Sequence, residues 1–173
     1  MILKSTFVVG GAASGKSAYA ESLVLNSGKP RVYLASMQAH DTEMQDKIAA
    51  HREMRGAGWR TVECPLDAVA ALAEISHDEI VLFDCATMWL SNHLLAGSDL
   101  GAESRGLLAA LDACRGQVVV VSNEVGMGIV PENALARRFR NEQGRLNQRL
   151  AAQSDCVVTV IAGLPLALKG ALP

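Results

Sequence analysis

At 173 residues, half of them apolar, the chain has the size of one domain with a sizeable core. A formal charge of −2 argues against a nucleic-acid partner, which needs a basic surface to displace counterions from phosphates, and favours small-molecule partners. No stretch reaches the apolar length of a membrane span and the start, "MILKSTFVVGG", lacks the pattern of a signal peptide, so a cytoplasmic protein without a membrane span is expected.

Five strand-like runs follow in chain order, "TFVVG", "RVYLAS", "EIVLFDC", "QVVVVSN" and "DCVVTVIAG", separated by longer segments rich in Ala, Leu, Glu and Arg. This alternation predicts an α/β fold, a mostly parallel central sheet flanked by helices, over 1–173 as a single unit. "SGKP" and "GAGW" read as loops, and "LLAGSDLGAES", which joins glycines to polar residues, as a mobile excursion. Residues 131–152 predict a long amphipathic helix, with Pro131 in its first turn and Leu135, Phe139, Leu146 and Leu150 inward. Its arginines, 137, 138, 140, 145 and 149, read mostly as a solvated face. Cys64, Cys85, Cys114 and Cys156 show no CxxC spacing, so they predict neither a zinc site nor a disulfide framework, but small core residues, with Cys85 close to a site.

"GGAASGKS", residues 10–17, fits GxxxxGK[ST], between a strand and a helical pattern. Gly10, Gly11, Ala12, Ala13, Ser14 and Gly15 supply a curled backbone whose amides point at phosphate oxygens; Lys16 bridges the outer phosphates and Ser17 binds Mg²⁺. Asp84 ends the apolar run "IVLFD", where a buried strand delivers a carboxylate either to Mg²⁺ or to the cap of the next helix. These features indicate a nucleotide ligand and leave hydrolysis, phosphoryl transfer, nucleotidyl transfer and switching open. In "KIAAHREMRGAGW", residues 47–59, helical spacing puts Met44, Ile48, His51 and Arg55 on one stripe, facing either a core or a ligand.

Together with "GGAASGKS", the stretches "HREMRGAGWRTVECP", "DCATMWLSNHLL", "VSNEVGMGIVPENALARRFRNEQGRLNQRLA" and "VIAGLPLALK" resemble the bifunctional adenosylcobinamide kinase and adenosylcobinamide-phosphate guanylyltransferase family of cobalamin biosynthesis. The resemblance spans nearly the whole chain and implies a RecA-like P-loop NTPase fold, Mg²⁺, GTP and ATP as substrates with adenosylcobinamide, and a homotrimer. It further implies that His51 is transiently guanylylated, with Arg52, Glu53, Met54 and Arg55 beside it at the nucleotide. Ser36, with Ala35 and Met37, is then expected to border the nucleotide or else to cap the next helix. Glu63 matches a position that contacts GTP, and Asn123 and Glu124 shape either the cobinamide side or the Mg²⁺ shell. Ala13 departs from the family, which often has arginine there. Trp89 and Leu90 read as interface or core. Two other readings compete: a small-metabolite kinase in which His51 has no covalent role, and a nucleotide-dependent switch or assembly ATPase.

Overall fold

The computed structural model describes residues 3–38 and 42–173, with the side chains of residues 43, 44, 47, 51 and 54 outside the described set. The elements run β1 (Ser5–Gly10), α1 (Lys16–Asn26), β2 (Arg31–Ala35), α2 (Thr42–Arg55), β3 (Trp59–Glu63), α3 (Ala68–Ala73), β4 (Ile80–Asp84), α4 (Ala86–Leu95), α5 (Leu100–Ala113), β5 (Gln117–Asn123), α6 (Ala134–Gln153), β6 (Cys156–Ile161) and β7 (Leu164–Lys169). They build a seven-stranded sheet in the order β3-β2-β4-β5-β1-β6-β7. Every pairing is parallel except that of β7 with β6.

The interior of the sheet is buried on both faces because successive residues of its strands meet different helices. Phe7, Leu34, Phe83 and Val120 pack on one side with Trp89, Leu107, Leu146 and Leu150 of α4, α5 and α6. Val8, Tyr33, Leu82 and Val121 pack on the other with Ala20 and Val24 of α1. That two-sided burial explains why β4 and β5 read as unbroken apolar runs. Trp89 and Leu90 lie in the core, and the Trp89 indole N–H donates to the Leu66 carbonyl at 3.0 Å. Cys64, Cys114 and Cys156 are also buried, and all four cysteines are free thiols. No helix among the described residues is long and apolar enough to cross a membrane.

Four local expectations are corrected. "LLAGSDLGAES" is not an excursion: it comprises the end of α4, a turn at Gly97 (φ +73°) and the start of α5, where the Asp99 carboxylate accepts from the Ala102 N–H at 3.0 Å. The arginine-rich helix begins at Ala134, after Pro131, because the Asn133 side chain caps it by accepting from the N–H groups of Leu135 and Ala136 at 2.7 and 3.1 Å. Within it Leu135 is exposed, Phe139 is half-buried, and Leu146 and Leu150 are fully inward. Finally, β3 and β7 flank the five runs read as strands, and β3 takes up the tryptophan of "GAGW".

Candidate nucleotide site

The phosphate loop leaves the end of β1 and re-enters helix at Lys16. A Cβ at Gly10 would lie 2.5 Å from the Ser14 hydroxyl and 2.7 Å from the Val160 carbonyl, so no side chain fits there. Gly15 caps α1 at φ +92°, in the left-handed region that favours glycine, and the Cα of Gly163 sits 3.0 Å from where its Cβ would be. Gly163 also donates its N–H to the Ser14 carbonyl at 2.8 Å, bracing the loop from the β6–β7 turn. Ala13 holds φ +53°, a conformation costing a non-glycine residue about 1 kcal/mol. Lys16 is buried, its ammonium donating to the Gly11 carbonyl at 3.0 Å across the mouth of the loop.

Lys16 and Ser17 open onto a cleft of about 770 Å³ at the carboxyl edge of the sheet. Ala35 and Met37 line it at and after the end of β2, Ile48, Arg52 and Arg55 from α2, Thr61 and Glu63 from β3, Asp84 and Cys85 at and after the end of β4, and Asn123 at the end of β5. Ile48 and Arg55, two members of the stripe left open between core and ligand, therefore face the cleft. The side chains of His51 and Met54 lie outside the described residues. Glu53 is exposed and does not line the cleft, and neither does Glu124.

Ser36 does not cap the next helix, which begins at Thr42, and it is not among the residues that line the cleft. It is wholly buried, its hydroxyl donating to the Cys85 carbonyl at 2.7 Å and accepting from the Cys85 N–H at 2.9 Å, while its carbonyl accepts from Asn92 at 2.8 Å. It ties the end of β2 to the end of β4, so that Ala35 and Met37, and not Ser36 itself, face the ligand space. Asp84 stands beside Cys85, whose sulfur caps α4 by accepting from the Met88 N–H.

Tyr33 is a member of the site that the sequence did not reveal. Its hydroxyl donates to Asp84 Oδ2 at 3.3 Å and the Arg55 guanidinium lies 3.4 Å from its ring centroid. Trp59 meets the same ring edge-on, with Arg31 over the indole. Burial, and then the Asp84 charge, push the Tyr33 phenol above its ordinary range, so it stays a neutral donor. Burial also drives the Cys85 thiol up to about 11, reinforced by Asp84, which keeps it protonated near neutrality. Arg52 pairs with Glu63 at 3.3 Å; both are mostly solvent-exposed, and a pair of that kind adds little to stability. Two arginines, one lysine and two carboxylates, Glu63 and Asp84, thus converge on a cleft beside a backbone cradle. That arrangement neutralises a polyphosphate and leaves hard oxygen donors for a cation.

Fold and cleft together define a P-loop nucleotide-binding enzyme. Among solved structures the chain matches the RadB recombinase with a TM-score of 0.53 at 19% identity over 90% of this chain and 73% of that one. It matches a Pyrococcus horikoshii OT3 protein with 0.57 at 9% identity, over 99% and 89% of the two chains. These likenesses establish the fold. The family model described as cobinamide kinase / cobinamide phosphate guanyltransferase matches residues 6–168. The bifunctional adenosylcobalamin biosynthesis protein CobP of Pseudomonas aeruginosa is 44% identical over 166 residues, covering 94% of this chain and 96% of that protein. Its counterpart CobU of Salmonella typhimurium is 43% identical over 180 residues, covering 94% and 98%. The chain belongs to the cobinamide kinase / cobinamide phosphate guanyltransferase family, as its motifs suggested.

Proposed function

We propose that this chain carries out both reactions named in its family's description, acting on adenosylcobinamide. In the first, the hydroxyl oxygen of the substrate's aminopropanol arm attacks the terminal phosphorus of ATP or GTP. The bond to the bridging oxygen breaks, the nucleoside diphosphate leaves, and the hydroxyl proton passes to solvent. In the second, a neutral imidazole nitrogen of His51 attacks the α-phosphorus of GTP and pyrophosphate leaves. The phosphate on the cobinamide then displaces the imidazole, giving adenosylcobinamide-GDP and free His51.

The observation that carries this reading is the convergence of two parts of the chain on one cleft. Lys16 and Ser17 come from the phosphate loop, and Ile48, Arg52 and Arg55 from α2, the helix on which His51 lies. Arg52 and Arg55 would hold the charge developing at the α-phosphorus, and Lys16 that on the outer phosphates. Ser17 and Asp84, a hydroxyl and a carboxylate in the same cleft, fit Mg²⁺, which takes one or two protein oxygens and completes its shell with phosphates and water. Bound there, Mg²⁺ would neutralise phosphate charge in both reactions.

The test is incubation of wild type and His51→Ala with Mg²⁺ and GTP labelled at the α-phosphate, followed by intact-mass analysis and acid treatment. An acid-labile GMP adduct in wild type alone is expected. No adduct in either protein, with nucleotide binding intact, would overturn the covalent step and leave a plain metabolite kinase. Capture of a partner dependent on nucleotide, with cobinamide ignored, would replace both with a switch.

The same reading places the enzyme in the cytoplasm with its nucleotide substrates and makes it a homotrimer. Exposed apolar side chains support self-association: Leu164, Leu166 and Leu168 on one face of the edge strand β7, and Met127 and Ile129 in the loop after β5.

A further inference from the structure

β5 lies between the strand that carries Asp84 and the strand that launches the phosphate loop. Its last residue, Asn123, pairs in register with Gly10, and the next N–H, that of Glu124, donates to the Gly10 carbonyl at 2.9 Å. Asn123 lines the cleft together with Lys16, Ser17 and Asp84.

The main chain at Asn123 is gripped from both sides by side chains. Its N–H donates to the Thr87 hydroxyl at 2.8 Å, and its carbonyl accepts from Asn147 Nδ2 at 3.0 Å. Behind it, Ser122 donates to Asn147 Oδ1 at 2.7 Å and accepts from Gln143 Nε2 at 2.8 Å. Gln143 Nε2 donates also to Asn147 Oδ1 at 2.8 Å. The protons can be assigned from these contacts. Ser122 spends its proton on Asn147, so in its 3.2 Å contact with Thr87 it is the acceptor and Thr87 the donor. Asn147 Oδ1 takes two donors, which turns its amide nitrogen toward Asn123. Flipping Gln143 would set its oxygen against acceptors, so it keeps its orientation although its Oε1 has no partner among the described residues.

Thr87, Ser122, Gln143 and Asn147 are all buried polar groups, costly unless satisfied; Thr87 and Asn147 hold the Asn123 backbone, and Ser122 and Gln143 hold Asn147 in place. A sheet needs no such cluster to end a strand. What the cluster does is fix the main chain of Asn123 at the wall of the cleft. A primary amide there donates to a phosphoryl oxygen without changing the charge of the site, complementing the cations.

We propose that Asn123 contacts the terminal phosphate of the bound nucleoside triphosphate, and that Thr87 and Asn147 are positioning residues that aim it. The inference rests on the proposed function only in taking a triphosphate as the ligand of the cleft; it does not require His51 chemistry.

The experiment measures binding of fluorescent, non-hydrolysable GTP and of fluorescent GDP, both with Mg²⁺, to the full chain and its variants. Asn123→Ala should weaken the triphosphate analogue by about tenfold or more, the worth of one hydrogen bond to a charged group, and leave GDP within about twofold. Thr87→Val should lower the triphosphate-to-diphosphate preference in the same direction, and Thr87→Ser should retain it; melting curves of each variant confirm folding. If Asn123→Ala keeps the wild-type preference, or loses both ligands equally, the phosphate contact is overturned. If Thr87→Val lowers stability with the preference intact, the aiming role is overturned. Absence of the GMP adduct in wild type, with the Asn123→Ala effect present, would sink the histidine step alone.

Discussion

Tyr33 shows how a single side chain joins parts of the site that are distant in sequence. It sits in β2, yet it hydrogen-bonds the carboxylate ending β4 and stacks beneath an arginine of α2. Tyr33→Phe keeps the ring and deletes the hydroxyl, so stability should fall by about 0.5–1.5 kcal/mol in urea denaturation while the arginine contact persists. Cys85 makes a second prediction at this scale. Its folded thiol titrates at about 11 against an ordinary value near 9.0, chiefly through burial. The folded state therefore holds its proton longer than the unfolded state does, and this stabilisation is present below pH 9 and lost as pH rises toward 11. Melting temperature should decline over that interval, and Cys85→Ser, which does not titrate there, should show a shallower decline. The phosphate loop was legible because eight consecutive residues carry its backbone geometry and its cation together. Tyr33 was not, because its partnership depends on the register that sets Ala35 against Asp84, and no local pattern encodes a register between strands. The bonds of Ser36 were hidden for a related reason: the carboxyl end of a strand points residues alternately toward opposite faces, and here the hydroxyl faces inward to Cys85.

Among the elements, α6 depends on its ends as well as on its apolar stripe. Asn133 satisfies two otherwise orphaned N–H groups, and Arg137 turns back to donate to the Pro131 and Glu132 carbonyls, fastening the preceding loop to the first turn. Asn133→Ala should cost about 0.5–2 kcal/mol in chemical denaturation, with the core of the helix unaltered. The five interior strands declared themselves as largely apolar runs, four of them β-branched and apolar almost throughout. The two at the ends of the sheet did not. β3 mixes polar and apolar residues because it lies at the sheet edge, and the leucines, alanine and proline of β7 carry little β-propensity. A helix start three residues after Pro131 was likewise missed, since proline and asparagine both favour that boundary and only the cap geometry separates them.

At the scale of the whole molecule, β7 is the end strand of the sheet, and none of the described strands pairs with its outer side. Leu164, Leu166 and Leu168 are 73%, 58% and 60% exposed, an apolar row that a monomer has little reason to show to water. Leu166→Lys places a charge in the middle of that row, and on the proposed homotrimer light scattering coupled to size exclusion should show a shift to smaller species with the melting transition retained. The general outline of the molecule, a parallel sheet with a phosphate cradle at its carboxyl edge, followed from the order of runs and one motif. The edges did not, because what covers an edge is not written in the strand itself.

The bond from Gly163 to Ser14 joins that row to the cradle, since the turn that braces the loop begins the strand that bears the leucines. If copies of the chain meet along β7, assembly and ligand affinity become linked quantities. Whatever factor a bound triphosphate adds to the association constant of the copies, association must return to the triphosphate, so that dilution of the protein would itself act as an effector of the enzyme.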